Sequence, residues 1–114
     1  MGIGTDILEI ERITKAAKNR RFLVKCFSER ELERFYQNGK ISYLAGNFAA
    51  KEAVVKSIGT GFAGFWPRDI EILRDGNGQP YAAGEAIPKK GNFLISISHE
   101  RHYAVAFVVW TSTI

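Results

Sequence analysis

The stretch Ser42 to Ile58 constrains the chain more than any other. It runs without proline, is rich in Ala45, Ala49, Ala50 and Ala53, and stops at Gly59, where a left-handed C-terminal cap is expected. A helix of that length is the natural centre of a small domain. With 114 residues there is room for one core but not for two self-sufficient ones, so residues 1–114 are read as a single domain.

The segments around this helix change period twice. Gly2 to Leu8 reads as an opening strand with alternating Ile3 and Ile7, delivering Asp6 near its end. From Glu9 the spacing becomes helical, with Ile10, Ile13, Ala16 and Ala17 on one side and basic residues on the other. Ser28 followed by Glu31 is a capping-box pair, which predicts a second helix from Glu29 to about Tyr36, ending at Asn38-Gly39. Beyond the long helix, Gly59, Gly61 and Gly64 mark a loop flanked by Phe62, Phe65 and Trp66. Asp69 to Leu73 alternates as a strand, Asp75-Gly76-Asn77-Gly78 is a hairpin turn, and Pro80 to Ala83 is the return strand. Phe93 to Ser98 and Tyr103 to Trp110 read as the last two strands. Helices first and strands later predict an α+β fold with an antiparallel sheet packed against the long helix.

Composition excludes several classes. Apolar residues make up 46% and charged residues 25% of the chain, the balance of a globular domain. No apolar run approaches the roughly 20 residues that span a bilayer, and the first residues lack the order of a signal peptide, so a cytoplasmic location is expected. Cys26 has no internal disulfide partner, and no Cys or His pair has zinc-ligand spacing. The net charge of +4 is all accounted for by residues 9 to 25, through Arg12, Lys15, Lys18, Arg20, Arg21 and Lys25 against Glu9 and Glu11. Such a patch suits an acidic partner, although a solvated helix face is the commoner meaning.

Three separated segments carry groups suited to phosphate chemistry: Asp6, then Lys51-Glu52 with Lys56, then Ser98-His99. Magnesium takes hard oxygen ligands, usually one or two protein carboxylates, with water and phosphates completing its shell. Asp6 and Glu52 would suffice, and Lys56 lies one helical turn beyond Glu52, beside the metal and its phosphate. Each has a duller reading. Glu52 and Lys56 at i and i+4 form a common surface pair, Asp6 could cap the following helix, and Ser98 and His99 could be ordinary strand and turn residues. Gly2-Ile3-Gly4 is not a dinucleotide fingerprint, because the third glycine and the preceding strand are missing.

The ordered combination decides between these readings. Gly2-Ile3-Gly4-Thr5-Asp6-Ile7, Phe48-Ala49-Ala50-Lys51-Glu52-Ala53 with Lys56 and Gly59-Thr60-Gly61, Asp69-Ile70-Glu71-Ile72 with Asn77-Gly78-Gln79-Pro80-Tyr81, and Ser96-Ile97-Ser98-His99 resemble the motifs of the holo-acyl-carrier-protein synthase family. They stand in the family's order and span nearly the whole chain. The resemblance implies transfer of 4′-phosphopantetheine from coenzyme A to a serine of an apo-acyl carrier protein, with adenosine 3′,5′-bisphosphate leaving. It implies magnesium on Asp6 and Glu52, Lys56 on the phosphates, and Ser98 and His99 at the 3′-phosphate end. Asn77, Gly78 and Pro80 would lie near the nucleotide, and Lys51 and Gly59 fall among the expected coenzyme A contacts. Glu52, or a water polarised by the metal, would accept the serine proton.

Two positions depart from the pattern. Asn47 stands where a basic residue is usual, which puts one phosphate contact in doubt, and Glu100 brings a negative charge next to His99. The resemblance further implies a homotrimer with coenzyme A in clefts between subunits, in keeping with a last strand apolar on both faces. Arg12, Lys15, Arg20 and Arg21, with Phe22 as an apolar anchor, are expected to dock the acidic carrier protein. The rival readings are a small basic nucleic-acid-binding module and a non-catalytic oligomeric scaffold. The first is disfavoured because Phe62, Phe65 and Trp66 lie far in sequence from the basic helix.

Overall fold

The computed structural model describes residues 1–59, 66–85, 87 and 91–112. Strand β1 (Gly2–Glu9) leads into α1 (Ile10–Ala16), α2 (Arg20–Cys26), α3 (Glu29–Asn38) and the long α4 (Ile41–Ile58). A hairpin of β2 (Glu71–Arg74) and β3 (Pro80–Ala83) follows, and β4 (Asn92–His99) and β5 (Tyr103–Thr111) close the fold. This is the expected α+β domain. The glycine-rich loop through Gly61, Phe62, Gly64 and Phe65 lies outside the described residues.

Helix α4 is the axis of the core. Leu44, Ala45, Ala49, Ala50, Ala53, Val54 and Val55 are buried on nearly all sides of it, as expected of a helix apolar all round. Each fully buried side chain of the size of Leu44 or Val54 contributes about 1.5–3 kcal/mol. On one side lies a three-stranded antiparallel sheet in the order β1-β5-β4, with Asp6 opposite Ala106, which in turn faces Ile97. Small residues set the distance between sheet and helix. A Cβ on Gly4 would stand 1.9 Å from the Ala53 carbonyl oxygen, and one on Gly2 equally close to that of Ser57. The two glycines of the opening motif therefore let β1 lie directly on α4, one helical turn apart.

The structure differs from the sequence expectations in two places. The basic helix is two helices, because Asn19 Oδ1 accepts from Arg21 N at 2.9 Å and starts a new helix after the break at residues 17–19. The strands form two sheets, since β2 and β3 pair only with each other, and Pro67–Asp69 is a 3-10 turn before the strand begins at Glu71. Within one chain the last strand is covered on one face. Ala104, Ala106 and Val108 face α4, whereas Val105 and Phe107 join Ile3, Ile7 and Leu94 as an exposed apolar surface, Ile7 being 65% and Leu94 68% accessible. The capping box is present, with Ser28 N donating to Glu31 Oε1 at 2.9 Å and Glu31 N donating to Ser28 Oγ at 3.3 Å.

Candidate active site

Where β1 crosses α4, Asp6 from the strand meets Glu52 and Lys56 from the helix. Lys56 Nζ donates to Thr5 O at 2.9 Å and lies 3.4 Å from Asp6 Oδ1. Asp6 is on the helix-facing side of β1 because it shares the parity of Gly2 and Gly4. Glu52 sits one turn before Lys56 and is half-buried. Burial pushes its carboxyl up from the ordinary range and the Asp6 charge adds to the rise, with Lys56 opposing both. Two like-charged carboxylates beside a single ammonium are held at an electrostatic cost that a divalent cation would relieve. The donors, two hard carboxylates open to solvent, fit magnesium with its waters and phosphates.

Lys51, the neighbour of Glu52, is placed otherwise. Its ammonium is buried and donates to Glu31 Oε1 at 2.6 Å, Ile70 O at 2.6 Å and Pro67 O at 3.0 Å. Burial pulls its pKa down while the Glu31 charge and hydrogen bond hold it up. All three protons are spent inside the protein, so the expectation of a coenzyme A contact from Lys51 is corrected: it ties the 3-10 turn to α3 and α4. Glu31 is the centre of this knot, also accepting from Ser28 N, from Asn47 Nδ2 at 2.9 Å and from Ile72 N at 3.3 Å. The sequence showed Glu31 only as a capping residue. Nothing in its local pattern distinguishes a cap that is exposed from one that is wholly buried.

The other expected residues are spread along the structure. Gly59 caps α4 at φ 80°, its N–H donating to Val55 O at 3.0 Å. Asn77, Gly78 and Pro80 form the tip and return of the β2–β3 hairpin, shaped by Asp75 Oδ1, which accepts from Asn77 N and Gln79 N. Ser98 and His99 end β4, and Ser98, paired with Val105, points to the face opposite Asp6. The fold thus gathers Asp6, Glu52 and Lys56 and leaves the hairpin and the Ser98-His99 corner apart from them within one chain. Glu100 is absorbed locally, its Oε1 accepting from His102 N and Tyr103 N at 2.7 Å each, which holds its carboxyl below the usual range. Asn47 is buried between Glu31 and Arg74, not turned to solvent. Arg12, Lys15, Arg20 and Arg21 are exposed as expected. Phe22 is not a free anchor: it packs on Phe27 and Phe48 with ring centroids 6.0 and 6.1 Å away.

Asp6 on β1 with Glu52 and Lys56 on α4 thus forms a cluster of the kind suited to phosphate chemistry. Residues 2–108 match the family model of the 4′-phosphopantetheinyl transferase superfamily, and the chain belongs to that superfamily. It is 49% identical to the holo-[acyl-carrier-protein] synthase of Protochlamydia amoebophila, over 98% of both sequences. It also resembles the solved holo-(acyl-carrier-protein) synthase of Bacillus anthracis in complex with CoA (3′,5′-ADP), at 36% identity and a TM-score of 0.83, covering 98% of this chain and 96% of that one. The Helicobacter pylori synthase in complex with coenzyme A is 31% identical with a TM-score of 0.85, over 96% of this chain and 99% of the other.

Proposed function

We propose that this chain transfers the 4′-phosphopantetheine arm of coenzyme A to a serine hydroxyl of an apo-acyl carrier protein, with Asp6 and Glu52 holding magnesium. The observation that carries the reading is the meeting of Asp6, Glu52 and Lys56 at the β1–α4 crossing, in a chain whose relatives include synthases solved with coenzyme A. Magnesium at this pair would neutralise charge on the coenzyme A diphosphate. Lys56, half exposed and anchored at Thr5 O, has donors left to meet a phosphate oxygen as charge develops there. Glu52, or a water polarised by magnesium, would accept the serine proton. The serine oxygen then bonds to the β-phosphorus, the bond from that phosphorus to the bridging oxygen breaks, and adenosine 3′,5′-bisphosphate leaves with the electron pair.

The remaining parts of the reading concern partners. Ser98, His99 and the Asn77–Pro80 turn serve the nucleotide end of coenzyme A. The exposed Arg12, Lys15, Arg20 and Arg21 on α1 and α2 steer and seat the acidic carrier. A homotrimer covers the apolar outer sheet face of Ile3, Ile7, Leu94, Val105 and Phe107 and completes the clefts for coenzyme A.

Intact-mass measurement of an apo carrier protein incubated with this chain, coenzyme A and magnesium should show addition of one phosphopantetheine. No mass change would overturn the reading. In the same assay Arg12→Glu with Arg20→Glu should raise the KM for carrier and leave that for coenzyme A unchanged, as should added salt. Sedimentation of the active species as a monomer would remove the trimer from the account.

A further inference from the structure

An indole ring stands in solvent beside the basic helix α2. Trp66 is 58% exposed, and Lys25 Nζ lies 5.4 Å from the centre of its ring. The backbone that carries the ring is held tightly. Trp66 N donates to Asp69 Oδ2 at 2.8 Å, Asp69 N donates back to Trp66 O at 2.9 Å, and Ile70 N donates to Pro67 O at 3.1 Å. Lys25 is exposed, forms no ion pair among the described residues, and follows the exposed Arg21 by one helical turn on the same face. Single exposed aromatics are common, but one fixed at its backbone and bordered by cations offers contact area at little cost in conformational entropy.

The position of this pair relative to the active site indicates what covers it. Helix α2 lies along α4, since Phe22 stacks on Phe48 with ring centroids 6.1 Å apart. One helical turn further along each helix come Cys26 and Glu52. These two are neighbours as well: burial pushes the Cys26 thiol up, and Lys51 and Glu52 are among the charges that reach it. Lys25 and Trp66 therefore stand at the end of α2 nearest Glu52, between the arginines that open that helix and the carboxylate to which an acceptor serine must come.

We infer that Trp66, with Lys25, is a specificity-determining contact for the acyl carrier protein, its ring packing on apolar surface beside the acceptor serine while Lys25 meets an acidic side chain. The inference deepens the proposed transfer reaction and rests on it for the identity of the partner. It adds an apolar element to a docking face otherwise made of Arg12, Lys15, Arg20 and Arg21, an element that Phe22, packed on Phe27 and Phe48, does not supply. Charge steers any acidic partner toward α1 and α2, whereas a fixed aromatic selects the one whose apolar surface fits it. No covalent step is involved.

Two measurements test this. In transfer assays Trp66→Ala should raise the KM for apo-acyl carrier protein by about 10- to 30-fold, the range for an aromatic truncated at an interface, with kcat and the KM for coenzyme A near wild type. Trp66→Phe should keep most of the carrier affinity, and Lys25→Glu should raise the carrier KM by a smaller factor that high salt removes. An unchanged carrier KM in Trp66→Ala, or a kcat and coenzyme A KM that move with it, would make the residue a support of its own turn and overturn the inference. Fluorescence titration needs no turnover. The chain has two tryptophans, so an emission change present in wild type and absent in Trp66→Phe belongs to Trp66. Apo-acyl carrier protein should produce that change, and coenzyme A with magnesium should not. A Trp66 response to coenzyme A would assign the ring to the coenzyme site, and a response to the chain's own concentration would assign it to a contact between copies; either overturns the inference, as does silence toward the carrier. If the carrier shifts Trp66 emission while no transfer occurs, the docking contact stands and the proposed reaction does not.

Discussion

Lys51 and Lys56 stand five residues apart on one helix, and their surroundings are opposites. Lys51 looks into the protein, where Glu31 and two carbonyls take its three protons and 1% of the side chain is exposed. Lys56, nearly one and a half turns further on, looks out with 55% of its side chain exposed and shares its charge with Asp6 and the Thr5 carbonyl. The closed side has as many acceptors as donors and nothing left to offer a ligand. On the open side burial and the Asp6 charge raise the proton affinity of Glu52 beside one half-exposed ammonium. A buried charge that is fully answered indicates architecture, and a cluster left with excess charge indicates a site.

The sharpest way to break this contrast is to remove charge from the open side. Glu52→Gln and Asp6→Asn should each lower transfer by at least about 10²-fold, the scale of losing one electrostatic contact to a transition state, while melting temperatures stay near wild type. Near-normal magnesium-dependent rates in either variant would return Glu52 and Lys56 to the status of an ordinary surface pair. The mirror experiment on the closed side follows. Lys51→Met leaves Glu31 buried and unpaired, which should cost about 3–5 kcal/mol in denaturant unfolding, yet the molecules that remain folded should keep most of their transfer rate. A Lys51→Met protein that is stable but inactive would restore Lys51 to the coenzyme A contacts.

How much of this was visible beforehand follows the same division. The open side was legible because its chemistry is local: Glu52 and Lys56 are one turn apart, and Asp6 lies in the short opening strand. The long helix, the capping box and the hairpin were legible for the same reason, each being written in a few adjacent residues. The closed side was not. Glu31, Asn47, Lys51 and Arg74 come from α3, α4 and β2, and only tertiary packing decides that Lys51 turns inward while Glu52 beside it does not. Burial also decided Phe22, which the sequence offered as a surface anchor and the fold places against Phe27 and Phe48. The break between α1 and α2 escaped because Asn19 interrupts a pattern whose apolar spacing alone would continue.

Between the two sides runs the contact that holds them in register, the seat of β1 on α4. A methyl on Gly4 would meet backbone, the Ala53 carbonyl oxygen at 1.9 Å and the Ser57 nitrogen at 2.9 Å, and backbone cannot swing aside as a flexible side chain can. Gly4→Ala must therefore lift β1 from the helix. The effect on stability should be smaller than for Lys51→Met, about 1–3 kcal/mol, because the strand keeps its ladder with β5 and the Glu31 knot is untouched. The effect on the site should be larger than that on the fold, since Thr5 O and Asp6 move away from Lys56, whose distances to them are 2.9 and 3.4 Å. Transfer by the folded protein should fall with a weakened dependence on magnesium, while binding of adenosine 3′,5′-bisphosphate, read by calorimetry, stays near wild type. Gly4→Ala with unchanged magnesium response would mean that the close approach of β1 serves packing alone and does not set the geometry of Asp6.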